Sequence, residues 1–327
     1  MRNRIVPIVG AAFFLTGAFK ISSAKGPEFP LTGPPLAQVW SVAGRWLGVA
    51  VPKGSPVAYA TQQGQLFAIN IEDGSATPLA DHVESTLRVG VNEGDTTLVA
   101  FDTWGKTLTA FTTKGERLWS YEPTDGIDDV WPVDLDRDGA SEVVVGLNGF
   151  GGVLVLGPDG HLLWSDRTIG NVWHVTAGMM EDKVLRVVTT SATGQVHVFS
   201  VTGERIKDID PNTYATEVRF GDQLFIGGNM EEGSVVQTLD PLGWTARLTR
   251  HKTELGSLAA APSIPWVAAS TVRGDVYVFR SSDGAVDGVG WQNCRSPQLA
   301  WASSGDDTLL ISAGRGGLTA YRVTPSP

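Results

Sequence analysis

The chain has 327 residues, of which 42% are hydrophobic and 18% charged, and its formal net charge at pH 7 is −10. Such an acidic chain is poorly suited to bind nucleic acid or an anionic membrane surface, so both are excluded as main partners. Cys294 is the only cysteine, which excludes an intrachain disulfide and leaves stability to packing.

The N-terminus has the pattern of a secretory signal peptide. Two arginines precede an apolar run at residues 5–19, and small residues end at Ala24, where cleavage is expected. The run is short and contains Pro7, which favours a cleaved signal over the alternative of an uncleaved anchor. We therefore predict a signal peptide at 1–24, a Pro-rich spacer at 25–36, and a mature chain without a membrane span. The protein is expected to be exported, either to a periplasm or outside the cell.

A short apolar strand recurs along the rest of the chain about every 42 residues. Its seven copies each follow a turn and read QLFAIN, TLTAFT, GVLVLG, QVHVFS, SVVQTL, DVYVFR and GLTAYR. A second series keeps the same phase and opens each repeat, with LGVAV, LRVGV, VWPVD, VWHVT, VRFGD, LAAAP and LAWAS. Short alternating strands at this repeat length predict an all-β fold, a seven-bladed β-propeller of four-stranded antiparallel blades.

The outermost strands predict how the ring closes. Six fourth strands follow the seven third strands, and the segment AQVWSV at the start of the domain resembles two of them, ERLWSY and HLLWSD. We expect this N-terminal strand to complete the last blade, which removes exposed sheet edges and favours a monomer. The propeller would then span 37–323, with a tail at 324–327. Trp40, Trp119 and Trp164 share the fourth-strand position and are expected to pack between blades.

An acidic loop in the third repeat, DLDRDGASE, predicts a metal site. Three carboxylates at alternate positions can turn inward on a tight loop if a cation offsets their repulsion, and hard oxygen ligands suit Ca²⁺. The expected ligands are the side chains of Asp134, Asp136, Asp138 and Glu142 and the main-chain carbonyl of Ala140. Because strands flank the loop, an EF-hand is excluded. The loop resembles those of FG-GAP and VCBS repeats, and a solvated acidic turn is the alternative.

The repeats themselves resemble those of PQQ-like, or quinoprotein-like, propellers. Units such as GKTLTAFTTKGERLW and GGVLVLGPDGHLLW are similar to the family pattern Gly-x-Leu-x-Ala-x-x-x-x-x-Gly-x-x-x-Trp. That family includes quinone-dependent dehydrogenases and non-catalytic envelope scaffolds, so the resemblance implies a fold rather than an activity. The chain lacks the adjacent cysteines of the dehydrogenases and has seven repeats where they usually have eight, so no quinone is expected.

The sequence contains no familiar catalytic motif. Paired acids such as Asp128 and Asp129 are interpreted as polar residues of a loop. The binding surface is expected where the inner strands begin. It would include Arg88, Trp131, Trp173, His174 and Arg219, with Asp128, Asn171, Glu217 and Gln298 in the loops that enter those strands. Trp131 and Trp173 would occupy equivalent places and could stack on a sugar or anchor a peptide, unless they fill gaps between blades. The sequence thus favours a non-catalytic, calcium-binding scaffold for another envelope protein or a glycan. The alternatives are an envelope enzyme or lectin-like module acting on polysaccharide, and a degenerate quinone-dependent dehydrogenase.

Overall fold

The computed structural model describes residues 33–324 except 93, 181, 212, 232, 241–242, 252, 262–263 and 283. The predicted signal peptide, most of the predicted spacer and the last three residues lie outside the described residues. Within the described ranges every regular element is a β-strand, and no helix there could cross a membrane.

The first strand, β1 (Ala37–Val42), stands alone before seven consecutive groups of strands. Blade 1 has β2 (Trp46–Ala50), β3 (Val57–Gln62), β4 (Gln65–Asn70) and β5 (Ala76–Asp81); blade 2 has β6 (Thr86–Asn92), β7 (Asp95–Phe101), β8 (Leu108–Thr112) and β9 (Arg117–Tyr121). Blade 3 has β10 (Ile127–Val133), β11 (Glu142–Leu147), β12 (Gly152–Leu156) and β13 (Leu162–Asp166); blade 4 has β14 (Val172–Met179), β15 (Leu185–Ser191), β16 (Val196–Phe199) and β17 (Arg205–Ile209). Blade 5 has β18 (Tyr214–Phe220), β19 (Leu224–Met230), β20 (Gly233–Asp240) and β21 (Gly243–His251); blade 6 has β22 (Leu255–Ala260), β23 (Trp266–Thr271), β24 (Asp275–Arg280) and β25 (Val286–Trp291). Blade 7 has β26 (Gln298–Ser304), β27 (Asp307–Gly314) and β28 (Gly317–Val323).

These strands form seven antiparallel four-stranded sheets, as the repeats predict. Within each of the first six blades the sheet order follows the chain, so every blade is a meander from an inner to an outer strand. The seventh sheet has the order β1-β28-β27-β26. The prediction that the N-terminal strand completes the last blade is therefore confirmed, with Trp40 paired opposite Ala320.

The core lies between blades rather than at one centre. The described residues form seven hydrophobic clusters, one at each interface between neighbouring sheets. The closing interface is typical, because Trp46 of blade 1 packs with Ile311 and Leu318 of blade 7. Each sheet buries both faces in this way, which explains why the strands are rich in valine, leucine and alanine.

Three fourth-strand tryptophans join consecutive blades, as their shared position predicts. The indole N–H of Trp119 donates to the carbonyl of Pro158 in the next blade at 2.8 Å. A glycine turn receives the ring, since a Cβ on Gly160 (φ +85°) would lie 2.8 Å from it. Trp40 and Trp164 donate in the same way to Ile71 and Val201.

The two ends of the inner strands define two faces. We call the face on which the inner strands begin the upper face; it also carries the connections between second and third strands. The connections from first to second strands lie on the lower face. The predicted calcium loop at 134–142 joins β10 to β11 and is therefore on the lower face, opposite the predicted binding surface.

A β-bulge near the start of several inner strands changes one sequence expectation. In β10 the bulge lies between Ile127 and Asp129, and in β14 it lies between Val172 and Val175. Ile127 and Val130 face blade 2, whereas Val172 and Val175 face blade 3 in the same manner. The prediction that Trp131 and Trp173 are equivalent was wrong, because the residue after the core valine is Trp131 in β10 but Thr176 in β14.

Candidate functional site

Four neighbouring inner strands bring charged side chains together around Asp129. Its carboxylate lies 2.7 Å from Nη2 of Arg88 and 3.0 Å from Nη1 of Arg219, and the amide of Val175 donates to it at 3.3 Å. Asp129 is on blade 3, so Arg88 reaches it from the neighbouring blade 2, whereas Arg219 on blade 5 reaches it across blade 4. Such contacts are possible only near the axis of the ring.

His174 and Glu217 complete this group. Nδ1 of His174 lies 3.1 Å from Oδ2 of Asp129, and its Nε2 lies 3.5 Å from Oε1 of Glu217. Glu217 forms an ion pair with Arg219, at 3.2 Å between Oε2 and Nη2. We call Arg88, Asp129, His174, Glu217 and Arg219 the axial cluster. Only the His174 side chain is open to solvent to a sizeable extent, with 26% of it exposed.

The electrostatics of the axial cluster keep Asp129 ionised. Its side chain is 1% exposed, and burial alone would raise the pKa of this carboxyl. The guanidinium groups of Arg219 and Arg88 outweigh burial and hold the pKa of Asp129 well below its usual range. The buried charges therefore compensate one another, as buried ions must. The axial cluster is a closed network rather than an open anion site.

The inner-strand register explains which side chains meet. Asp129, His174 and Glu217 each precede the core valine of their strand, which places them at one level of three consecutive blades. Bulges commonly redirect a side chain in this way. Sequence reasoning placed Arg88, His174 and Arg219 here and Glu217 in an entering loop. It interpreted Asp129 as a polar loop residue, which was wrong, because Asp129 lies within β10. A charged residue directly before the core valine is the signal that could have found it.

The two predicted aromatic contacts lie in different surroundings. Trp131 packs against the core between blades 3 and 4, and the guanidinium of Arg219 stacks over its ring at 5.4 Å. Trp173 meets Tyr214 edge to face, with ring centroids 5.4 Å apart. Tyr214 begins β18 and is 41% exposed, so this pair belongs to the upper face. Both tryptophans are half-buried; Trp131 packs between blades, and Trp173 packs against an exposed tyrosine of the upper face.

Asp128 lies beside the axial cluster but is not part of its ion pairs. It is half-buried, and its Oδ1 atom is buried without a hydrogen-bond partner among the described residues. Burial raises the pKa of Asp128 to about 6, and the neighbouring charge of Asp129 adds to the increase. His174 and a hydrogen bond from the Trp104 side chain act in the opposite direction. Asp128 is therefore a carboxyl group that changes charge near neutral pH.

The acidic loop brings three of the predicted calcium ligands together. Carboxylate oxygens of Asp134, Asp136 and Asp138 all lie within 4.8 Å of one another. Backbone amides hold these side chains inward: the Asp138 amide donates to Asp134 and Asp136, and the Gly139 amide donates to Asp134, each at 3.1 Å. Three convergent carboxylates are a donor set that fits Ca²⁺.

Glu142 and Ala140 have other contacts in the same loop. Glu142 is buried, and its Oε2 accepts a hydrogen bond from the Leu135 amide at 2.7 Å, which closes the loop. Burial, together with the charges of Asp136 and Asp138, raises the pKa of Glu142. Ala140 is buried and its amide donates to Asp138 at 2.8 Å. The three aspartates therefore form the cluster, and Glu142 lies beside it.

The fold and these contacts define a seven-bladed β-propeller with an ionic centre. Residues 98–239 match the family model described as the lambda-carrageenase beta-propeller domain. The lambda-carrageenase of Pseudoalteromonas carrageenovora is 27% identical over 137 residues, and that of a Pseudoalteromonas sp. is 26% identical over 137 residues. Each match covers 42% of this chain and 14% of the relative.

The family match covers strands from β7 to β20, which belong to blades 2 to 5. It includes every member of the axial cluster except Arg88, together with Asp128 and the acidic loop. The part of this chain that is similar to the carrageenase propeller is therefore the part that carries its charged and aromatic centre.

Proposed function

We propose that this protein is an exported polysaccharide-binding β-propeller, with a glycan rather than another protein as its main partner. One observation carries the proposal: the segment similar to the carrageenase propeller, 98–239, supplies four of the five residues of the axial cluster. Export rests on the N-terminal sequence pattern described above. Binding is favoured over catalysis because Asp129, Arg219 and Glu217 are buried and engaged with one another.

The axial cluster supports this function by making the binding face rigid. Its ion pairs and the hydrogen bond of His174 join blades 2, 3, 4 and 5 near the axis, and the hydrophobic clusters join the same blades further out. Loops held on such a frame lose little conformational entropy when a ligand binds. Arg88, Trp131 and Arg219 then act by positioning the upper face, whereas Trp173 and His174 retain solvent-exposed surface.

We also propose that the acidic loop binds one Ca²⁺ through Asp134, Asp136 and Asp138, with the Ala140 carbonyl and Glu142 as further ligands predicted from the sequence. The convergence of three carboxylates supports this proposal. Because the loop is on the lower face, the ion would stabilise blade 3 and would not contact a glycan on the upper face. A native-state ligand stabilises the fold by mass action.

Electrophoretic mobility in gels that contain a polysaccharide tests the binding function. The mature protein is run in gels with λ-carrageenan, alginate or dextran, beside a non-binding reference protein. We expect specific retardation by at least one of the three. λ-Carrageenan is included because the relatives are named for it, and dextran is the neutral glycan whose binding the acidic charge of the chain does not oppose. Mobility unchanged in all three, together with a specific protein captured from envelope extract, would replace the glycan with a protein partner.

A further inference from the structure

Trp104 is an exposed tryptophan on the upper face, and its backbone is held in place by hydrogen bonds. Trp104 lies between β7 and β8 and is 75% exposed. Its amide donates to the Ile127 carbonyl at 2.6 Å, and the Ile127 amide donates to the Gly105 carbonyl at 2.8 Å. These two bonds tie the turn to the first residue of β10. Large exposed aromatic rings on an anchored backbone are typical of binding sites.

The backbone conformation of Trp104 is also typical of a binding site. Its φ angle is +66°, a left-handed conformation that is uncommon for a bulky residue and costs about 1 kcal/mol or more. Such residues concentrate at sites where a side chain must be presented in one direction. The ring of Trp104 lies in solvent rather than in a hydrophobic core, so core packing does not explain the left-handed backbone conformation.

Asp128 follows Ile127 directly, so the same two backbone bonds place it beside the Trp104 turn. The Trp104 side chain lies close enough to the carboxyl of Asp128 to lower its pKa. The titratable groups that act on Asp128 are His174 from blade 4 and Asp129 from its own strand. An apolar ring and a partly accessible carboxyl thus lie side by side on the upper face.

We propose that Trp104 and Asp128 form a sugar-binding subsite, in which a pyranose ring stacks on the indole and the carboxylic acid of Asp128 donates a hydrogen bond to a sugar oxygen. This inference rests on the proposed function and names the residues that would carry it. Sugars offer an apolar ring face edged by hydroxyl groups, which matches a tryptophan beside a polar group.

The protonated form of Asp128 is the form that fits this role. One carboxyl oxygen is buried without a partner among the described residues, so the negative charge is disfavoured there. A sugar stacked on Trp104 would remove more water and disfavour the charge further. Since the pKa of Asp128 is about 6, the neutral form predominates below that pH and is lost above it. Affinity should therefore fall as the pH rises, by up to roughly tenfold per unit above about 6.

Mobility in gels that contain the polysaccharide that retards the parent most, run at about pH 6 and about pH 8, tests the subsite. Both values lie above the isoelectric point of about 5.0, so the protein migrates in both gels. Trp104→Ala should weaken retardation roughly tenfold at the lower pH, because it removes the stacking surface. Trp104→Asn is the second variant, since asparagine tolerates the left-handed backbone but has no ring. Asp128→Asn should bind at both values with little change, because its amide donates a hydrogen bond and cannot ionise.

Trp291→Ala is the matched control, since Trp291 is 60% exposed on blade 6 and lies outside the matched segment. Thermal melts establish that each variant is folded. If the parent is retarded and the Trp104 variants are retarded equally, the subsite is refuted while glycan binding stands. If the parent is not retarded by λ-carrageenan, alginate or dextran, both proposals fail. If the retardation of Asp128→Asn depends on pH as that of the parent does, another group titrates and the role of Asp128 is refuted.

Discussion

At the scale of single residues, Asp129 shows how a buried charge is kept in a β-propeller. Two arginines, a histidine and a backbone amide all face one carboxylate that is 1% exposed. Burying these charges has a large desolvation cost, which a hydrophobic residue at the same position would avoid. The ion pairs alone are therefore weak evidence that the cluster stabilises the fold. Their clear effect is on position, because the arginines from blades 2 and 5 can only meet Asp129 in one arrangement of the ring.

Replacing Asp129 with asparagine should destabilise the protein strongly. Asp129→Asn keeps the shape but leaves Arg88 without its ion-pair partner and Arg219 with Glu217 alone, which should lower the free energy of unfolding by about 3 kcal/mol. Urea denaturation at neutral pH measures this. Asp306→Asn, at an exposed turn in blade 7, is the control and should change stability by less than about 0.5 kcal/mol.

The pH dependence gives a second measure of the same residue. Because the folded pKa of Asp129 is lowered, its ionised form stabilises the fold above the unfolded value near 3.9, and this contribution is lost as the pH falls below about 4. The parent should therefore lose more stability than Asp129→Asn between neutral and acid pH. Equal losses in the two proteins would show that Asp129 is not held ionised by the arginines.

At the scale of strands and loops, the sequence predicted positions better than contacts. Hydrophobic alternation and turn residues predicted all seven third strands and the closing strand, because these signals are local. The bulges were not visible, since a two-residue alternation continues on both sides of the extra residue. This is why Trp173 was aligned with Trp131 and why Asp129 was assigned to a loop. Trp104 was missed for a related reason, because a single tryptophan in a turn has no periodic signal.

The acidic loop is the element whose role is most directly testable. If it binds Ca²⁺, calcium should raise the melting temperature of the mature protein relative to chelator, by about 5 °C at saturating concentrations. Asp136→Ala should abolish that increase, because it removes one of three convergent carboxylates. Differential scanning calorimetry with calcium and with chelator makes the comparison.

A matched variant separates metal binding from a general loss of surface charge. Asp306→Ala removes an exposed aspartate from the corresponding first-to-second strand connection of blade 7. This variant should keep the full response to calcium. A parent protein whose melting temperature is the same in calcium and chelator would mean that the loop is a solvated acidic turn.

At the scale of the whole molecule, one short strand holds the ring closed. β1 pairs along β28, and Trp40 packs in the cluster that joins blade 7 to blade 1. Without β1 the hydrogen-bonding edge of β28 would face solvent, and the side chains beneath Trp40 would be uncovered. Unpaired edges of this kind promote association between chains. Closure therefore protects both the stability and the solubility of the propeller.

A pair of truncations tests this dependence. A chain that begins at residue 33 retains β1, whereas a chain that begins at residue 43 lacks it and also lacks the Trp40 contact with Ile71. The shorter chain should melt at least about 10 °C lower, since it loses several kcal/mol of buried apolar contact. It should also elute as larger species on size exclusion, through the free edge of β28. A synthetic peptide of residues 33–44 should partly restore both properties, because the strand acts by pairing and packing without a covalent requirement. If the two truncated chains melt together and elute alike, the ring does not depend on β1, and the interface between blades 7 and 1 must be sufficient by itself.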